Sequence, residues 1–227
     1  MIRKFMLGLA VAAVALAAPA AKADEYSDAK DIVDRSVIAF NKLLRSPDAG
    51  PRVRNLLERA KGVLIFPQIL KVAFFIGGEG GSGALMSRQA NGAWSYPAFY
   101  TMGSLSFGLQ VGGESSQAVL LIMTQKGFDS ILDDQVKLGA DISAAVGPKG
   151  AGAEASTTTA AGADIYTYSL SQGLFVGASL EGAVIAKRSD LNDAFYKQQV
   201  SPRQIVRDNA VENPDADDLR AAVEAND

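Results

Sequence analysis

The sequence predicts an α+β fold: N-terminal helices packed on a Gly-rich, strongly curved antiparallel β-sheet, with short C-terminal helices. Three observations predict it. Apolar residues between Tyr26 and Arg45 recur at helical spacing. After Gly62 the period changes to two, as in "SLSFGLQVG", where Leu105, Phe107, Leu109 and Val111 alternate with small or polar residues. No long helical pattern separates most of these runs, which favours antiparallel neighbours over β–α–β crossovers.

The first segment, residues 1–23, has the layout of a secretory signal peptide. Arg3 and Lys4 precede an apolar run from Phe5 to Ala18, and Ala21-Lys22-Ala23 supplies the A-x-A end. That run is shorter than the roughly 20 residues a spanning helix needs. Cleavage after Ala23 leaves Asp24 as the mature terminus of a periplasmic or secreted protein, with peripheral membrane association allowed. Residues 24–207 read as one domain. Within it, 24–62 are helical, since Ala29, Ile32, Val33, Val37, Phe40, Leu43 and Leu44 form one face, and Pro51 opens a second helix closed by Gly62. Residues 63–188 are mainly strand, with "KGFDSILDD" as a short helix. Residues 189–207 return to helix: Ser189 is expected to cap "DLNDAFYKQ", and Ser201 with Pro202 to open the next. Residues 208–227, with Asn213-Pro214 as a helix start, are an acidic and thinly apolar tail expected to be detached.

Composition removes much chemistry. With His 0 and Cys 0, Ser-His-Asp triads, thiol nucleophiles and imidazole or thiolate metal sites are excluded. An enzyme is not expected, and neither are a cofactor or a nucleic-acid partner. The formal net charge is −3; Arg3, Lys4 and Lys22 leave with the signal peptide, so the mature chain carries −6. The tail accounts for that, because Asp208, Glu212, Asp215, Asp217, Asp218, Glu224 and Asp227 face Arg220 alone. Against this background Lys42, Arg45, Arg52, Arg54, Arg59, Lys61 and Lys71 face only Asp48 and Glu58, a local basic zone.

The stretch Gly78 to Gly83, "GEGGSG", fits the G-x-G-x-x-G dinucleotide spacing. That fingerprint needs a helix immediately afterwards and an acid about 20 residues on. Here a turn at Asn91-Gly92 follows, and no Asp or Glu occurs between Glu79 and Glu114. No nucleotide is therefore expected, and the glycines read as positions where strands bend or backbones approach. The block echoes itself: "IGGEGGSGALM" from Ile76 matches "VGGESSQAVLL" from Val111, as similar strands of one sheet would. Glu79, Glu114, Glu154 and Glu181 lie in these small-residue runs and would form a cation site if they converged.

The segments "AKGVLIFPQILKVAFFIGGEGGSGALMSR", "GAWSYPAFYTMGSLSFGLQVGGES", "LGADISAAVGP" and "YSLSQGLFVGASLEGAVI" together resemble the SYLF-domain family, also called the Ysc84-type actin-binding domain, over about Leu43 to Val206. The resemblance implies a non-enzymatic domain that binds anionic lipid, phosphoinositides in eukaryotic members, near its N-terminal end. It also implies actin binding in some members, which an exported bacterial-type chain would not meet. Ala151 and Gln172 stand where the family often carries Arg and Lys. The expected partner is an anionic phospholipid surface. Arg52, Arg54, Arg59, Lys61 and Lys71 are the candidate contacts, and the helix Ile32 to Leu44 the apolar partner. Two other readings stand beside it: a small outer-membrane-associated β-rich structural protein or barrel, and a carboxylate-based cation-binding protein.

Overall fold

The computed structural model describes residues 18–74, 76–107, 112–147, 162–171, 174–176, 180 and 182–227. A long helix, α1 (Ala18–Leu44), leads to α2 (Gly50–Leu57). Four long strands follow: β1 (Gly62–Phe74), β2 (Ile76–Ser87), β3 (Ala98–Phe107) and β4 (Gly112–Ile122). Helix α3 (Gln125–Leu132) precedes five short strands: β5 (Gln135–Lys137), β6 (Ala144–Val146), β7 (Ile165–Ser171), β8 (Leu174–Val176) and β9 (Val184–Lys187). The chain ends with α4 (Ser189–Tyr196), α5 (Pro202–Val206), a 3-10 turn (Pro214–Ala216) and α6 (Asp217–Glu224). The expected cleavage point after Ala23 falls within the first turns of α1, and residues 1–17 lie outside the described ones.

The sheet runs β5-β9-β3-β2-β1-β4-β7-β6, with β8 paired to β7, and curls into an open half-barrel. It is mixed rather than purely antiparallel, because β6 lies parallel to β7. The long connection from β6 to β7 allows that return; a tight hairpin would not. Among the described residues the end strands β5 and β6 do not pair with each other.

β1 is the axis of the sheet. Its neighbours β2 and β4 are the two copies of the glycine-rich echo, and they oppose it in the same register. Gly78 and Gly113 both face Val72, Glu79 and Glu114 both face Lys71, and Leu85 and Leu120 both face Leu64. The echo therefore places like residues symmetrically on the two sides of one strand. The arrangement divides the sheet lengthwise. At the base, Val63 to Phe66 and Leu120 to Ile122 are buried on both faces, which needs cover on each side. At the other end glycine and serine replace the large side chains, and Leu70 and Val72 are 53% and 66% exposed.

Close approach explains two of the glycines. β1 shifts register between Ile65 and Leu70, and there its backbone crowds β2. A Cβ at Gly83 would lie 2.4 Å from the Ile65 carbonyl oxygen and 2.6 Å from Phe66 Cδ1; one at Gly81 would lie 2.1 Å from the Gln68 carbonyl oxygen. The G-x-G-x-x-G stretch is thus the middle of a strand that runs on to Ser87, with no helix N-terminus after it to receive a phosphate.

The apolar stripe of α1 is core. Ala29, Val33, Phe40, Leu43 and Leu44 are buried, and Ile32 and Val37 pack partly buried against them, on β1 and β2. The expectation that Ile32 to Leu44 offers an apolar face to a membrane is corrected here: burying this stripe against the sheet removes it from solvent. The polar face keeps one large apolar residue, Ile38, at 64% exposed.

The C-terminal segment is docked, contrary to the expectation of a detached tail. Ala216, Leu219 and Val223 are fully buried, and α6 packs on α1. The acids that made the segment look solvated have partners instead. Tyr26 donates to Asp215 at 2.7 Å, Tyr96 donates to Asp217 at 2.9 Å, and Arg88 pairs with Asp227. Arg220 stacks 4.4 Å from the Tyr96 ring and donates to the Trp94 carbonyl at 3.0 Å. Asn213 caps the 3-10 turn, and Ser201 with Gln204 completes a capping box on α5. Ser189, expected as a cap, is the first helical residue of α4; Arg188 holds the cap position without a side-chain bond.

Candidate functional site

The basic zone gathers where α1 ends and α2 begins. Proline in the first turn fits α2, since the missing N–H has no helical partner there anyway. Val53, Leu56 and Leu57 face inward. Gly50 is set hard against the end of α1: a Cβ there would lie 2.2 Å from the Leu44 carbonyl oxygen. Arg54 donates to that same carbonyl at 3.0 Å, so one candidate cation also completes the C-terminus of α1, where positive charge is favoured. Arg52 reaches toward Tyr168 on β7. Burial pushes that phenol upward, and the Arg52 charge offsets part of the effect. Arg59 is exposed and donates to Asn55 at 3.2 Å. Lys61 is tied through its backbone, donating to the Ile122 carbonyl at 2.7 Å and accepting from the Arg88 amide at 3.0 Å, while its side chain is exposed.

Four of the five candidates are therefore brought together. Lys71 is not. It lies ten positions along β1 from Lys61, roughly 30 Å away at the usual strand rise. Its register partners on either side are Glu79 and Glu114, so it sits between two carboxylates in a row across three strands. That row answers the convergence question for two of the four acids: they flank a lysine, and Glu79 also accepts from Ser104 at 2.8 Å. Among the described residues no group of three or more acids could hold a metal. Glu154, Glu181, Ala151 and Gln172 lie outside the described residues.

Lys42, on the exposed face of α1, and Arg45, exposed just past its end, extend the cationic corner. Ile38 is one turn before Lys42 on the same face. Between that face and the sheet lies a cleft of about 380 Å³ lined by Arg35, Ile38, Lys42, Pro67, Gln68, Ser115, Gln117 and Leu170. Its two cations face no carboxylate in the lining. Arg35 is held by Asp31 at 2.9 Å and by Gln68 at 3.1 Å, while Gln117 Oε1 is buried without a hydrogen-bond partner. Sequence reasoning missed this cleft. Ile38 was visible as an apolar residue off the helical stripe, but nothing in the pattern connects it to Gln117.

A separate buried carboxylate is structural. Asp164 accepts from Thr124 at 2.5 Å and from the Ser143 hydroxyl at 2.7 Å, and so ties the cap of α3 to the start of β6. Burial pushes its pKa up, but these hydrogen bonds outweigh that and hold it below the usual carboxylate value.

Comparison with known proteins fits this geometry. The sequence model of the family described as "Ysc84: Las17-binding protein actin regulator" matches residues 103–226. "LAS seventeen-binding protein 3" of Saccharomyces cerevisiae is 34% identical over 174 residues, covering 75% of this chain and 38% of that protein. "Protein YSC84" of the same organism is 32% identical over 173 residues, covering 75% and 37%. "SH3 domain-containing YSC84-like protein 1" of Homo sapiens is 30% identical over 166 residues, covering 73% and 48%. The chain thus spans less than half the length of these relatives. The matched region takes in the sheet from the middle of β3 onward and the docked C-terminal helices, and the chain belongs to the Ysc84, or SYLF-domain, family.

Proposed function

We infer that this protein is a non-enzymatic, exported lipid-binding domain that touches anionic phospholipid at the cell envelope through the corner between α1 and α2. The observation that carries this reading is the distribution of ion pairs. Lys30, Arg35, Arg88, Lys187, Arg188, Arg207 and Arg220 all have carboxylate partners. Lys42, Arg45, Arg54, Arg59 and Lys61, grouped at one corner, have none among the described residues; Lys71, Lys126, Lys137, Lys197 and Arg203 also have none, but they stand singly on β1, α3, β5, the end of α4 and α5. Arginine and lysine without internal carboxylate partners suit phosphate oxygens. Each contributes roughly 1 kcal/mol near an anionic surface, so the five give about 5 kcal/mol, lessened by Asp48 and Glu58 and screened over roughly 8–10 Å. A mature chain of net −6 is repelled as a whole, so the attraction is local and weak. The basic, apolar and A-x-A layout of residues 1–23 supports export, which mass spectrometry of the exported protein checks by finding Asp24 at its terminus.

Co-sedimentation tests the surface. Mature protein should bind vesicles rich in anionic lipid, release most of it at high salt, and ignore neutral vesicles. Arg52→Glu, Arg54→Glu, Arg59→Glu together should abolish binding. Because Arg54 also caps α1, the set Arg45→Glu, Arg59→Glu, Lys61→Glu gives the same readout with the cap intact. Undiminished binding by both sets overturns the reading. So does salt-sensitive sedimentation with actin filaments and none with vesicles, the outcome that the family description suggests.

A further inference from the structure

Resting on that lipid reading, we propose that the cleft between α1 and strands β1, β4 and β7 is a headgroup subsite for one phospholipid, whose phosphodiester lies by Lys42 and Arg35 and whose headgroup hydroxyl is read by Gln117. Four observations point there. Its volume of about 380 Å³ falls in the range of roughly 300–1,000 Å³ usual for small-ligand sites. Its lining carries two cations and no carboxylate, which is complementary to a monoanionic phosphate. Lys42 has no ion-pair partner among the described residues, and the two partners of Arg35, Asp31 and Gln68, do not use all five guanidinium donors.

The fourth is Gln117. A buried carbonyl oxygen with no donor is a costly arrangement unless a ligand completes it. An acceptor is useless to a phosphate oxygen but suits a hydroxyl, so the headgroup that fits both ends is a phosphodiester bearing a free hydroxyl. Ile38, 64% exposed at the cleft, and Leu170, 4% exposed within it, supply an apolar side for the start of the acyl chains. A lipid, rather than a soluble polyol phosphate, uses all of these contacts.

Vesicles of matched charge separate this subsite from general surface attraction. Phosphatidylglycerol and phosphatidylmethanol each carry one negative charge, but only the former has headgroup hydroxyls. The mature protein should prefer phosphatidylglycerol vesicles by at least about fivefold, the effect of one satisfied buried acceptor. Gln117→Leu should erase the preference while keeping the weaker, charge-driven binding to both. It should also fold normally, since it removes an acceptor that has no partner among the described residues. Lys42→Ser, at an exposed position, should weaken binding to both vesicles. Ile38→Ser should lower affinity without changing the preference. Equal binding of wild-type protein to the two vesicle types overturns the subsite and leaves the basic surface standing. Absence of binding to either overturns the lipid reading itself. Free glycerol 1-phosphate should compete only at millimolar concentration; full competition at micromolar concentration would assign the cleft to soluble polyol phosphates instead.

Discussion

Replacing Leu219 by alanine tests whether the C-terminal segment is part of the fold. Leu219 is completely buried in α6, beside Ala216 and Val223, which are equally buried. Losing its burial costs about 1.5–3 kcal/mol in transfer. The cavity left behind raises the usual Leu→Ala cost to about 2.7–5 kcal/mol. A loss of about 3 kcal/mol, at roughly 2–4 °C per kcal/mol for a domain of this size, should lower the melting temperature by roughly 6–12 °C. The sequence has one tryptophan, Trp94, buried at 1% exposure. Its indole N–H donates to Asp227 at 3.4 Å and its amide to Glu224 at 3.2 Å, so its fluorescence reports docking directly. Asp218→Ala, one position away and exposed, is the control and should shift stability by less than about 0.5 kcal/mol. If Leu219→Ala melts with the wild type while protease trims residues 208–227 from a folded body, α6 is not part of the core and the docking described above is wrong. By the same reasoning, deleting the segment after Val206 should yield unstable protein.

Gly83→Val should cost at least about 1–3 kcal/mol, because its Cβ would enter the Ile65 carbonyl and the Phe66 ring; an unchanged urea midpoint would mean that β1 and β2 are not in close approach there. Acid should destabilise the fold through Asp164. Its folded pKa is depressed, so the folded state binds fewer protons than the unfolded state. The contribution is present above the unfolded value near 4 and is lost as pH falls through it toward the folded value. Asp164→Asn should flatten that acid limb of a stability–pH profile, and an unaltered limb would remove Asp164 from the explanation.

Periodicity made most of the architecture legible. The stripe from Ala29 to Leu44, the change to period two after Gly62, and the capping signals at Ser201 and Asn213 all correspond to elements in place. What escaped depended on long-range pairing. The echo between Ile76 and Val111 was readable as two similar strands, but nothing local says that both flank β1 in one register. Charge misled at the C-terminus, where three acids of the docked segment find Tyr26, Tyr96 and Arg88 far away in sequence. The site was legible in part. The cluster of cations between Lys42 and Lys61 is continuous in the chain and so is continuous in space. Lys71 is close in sequence, but an extended strand carries it away. The cleft, built from Arg35 through Leu170, draws on four segments that no window of sequence brings together.

The contact between α1 and α6 has a consequence for how the molecule comes into being. Tyr26 and Asp215, which bond across it, are separated by 189 positions. Partners so distant have to be synthesised before they meet, and the entropy of closing that span is overcome only when the last helix is present. A chain still emerging from a ribosome therefore lacks the piece that buries one side of α1 until α6 has been made.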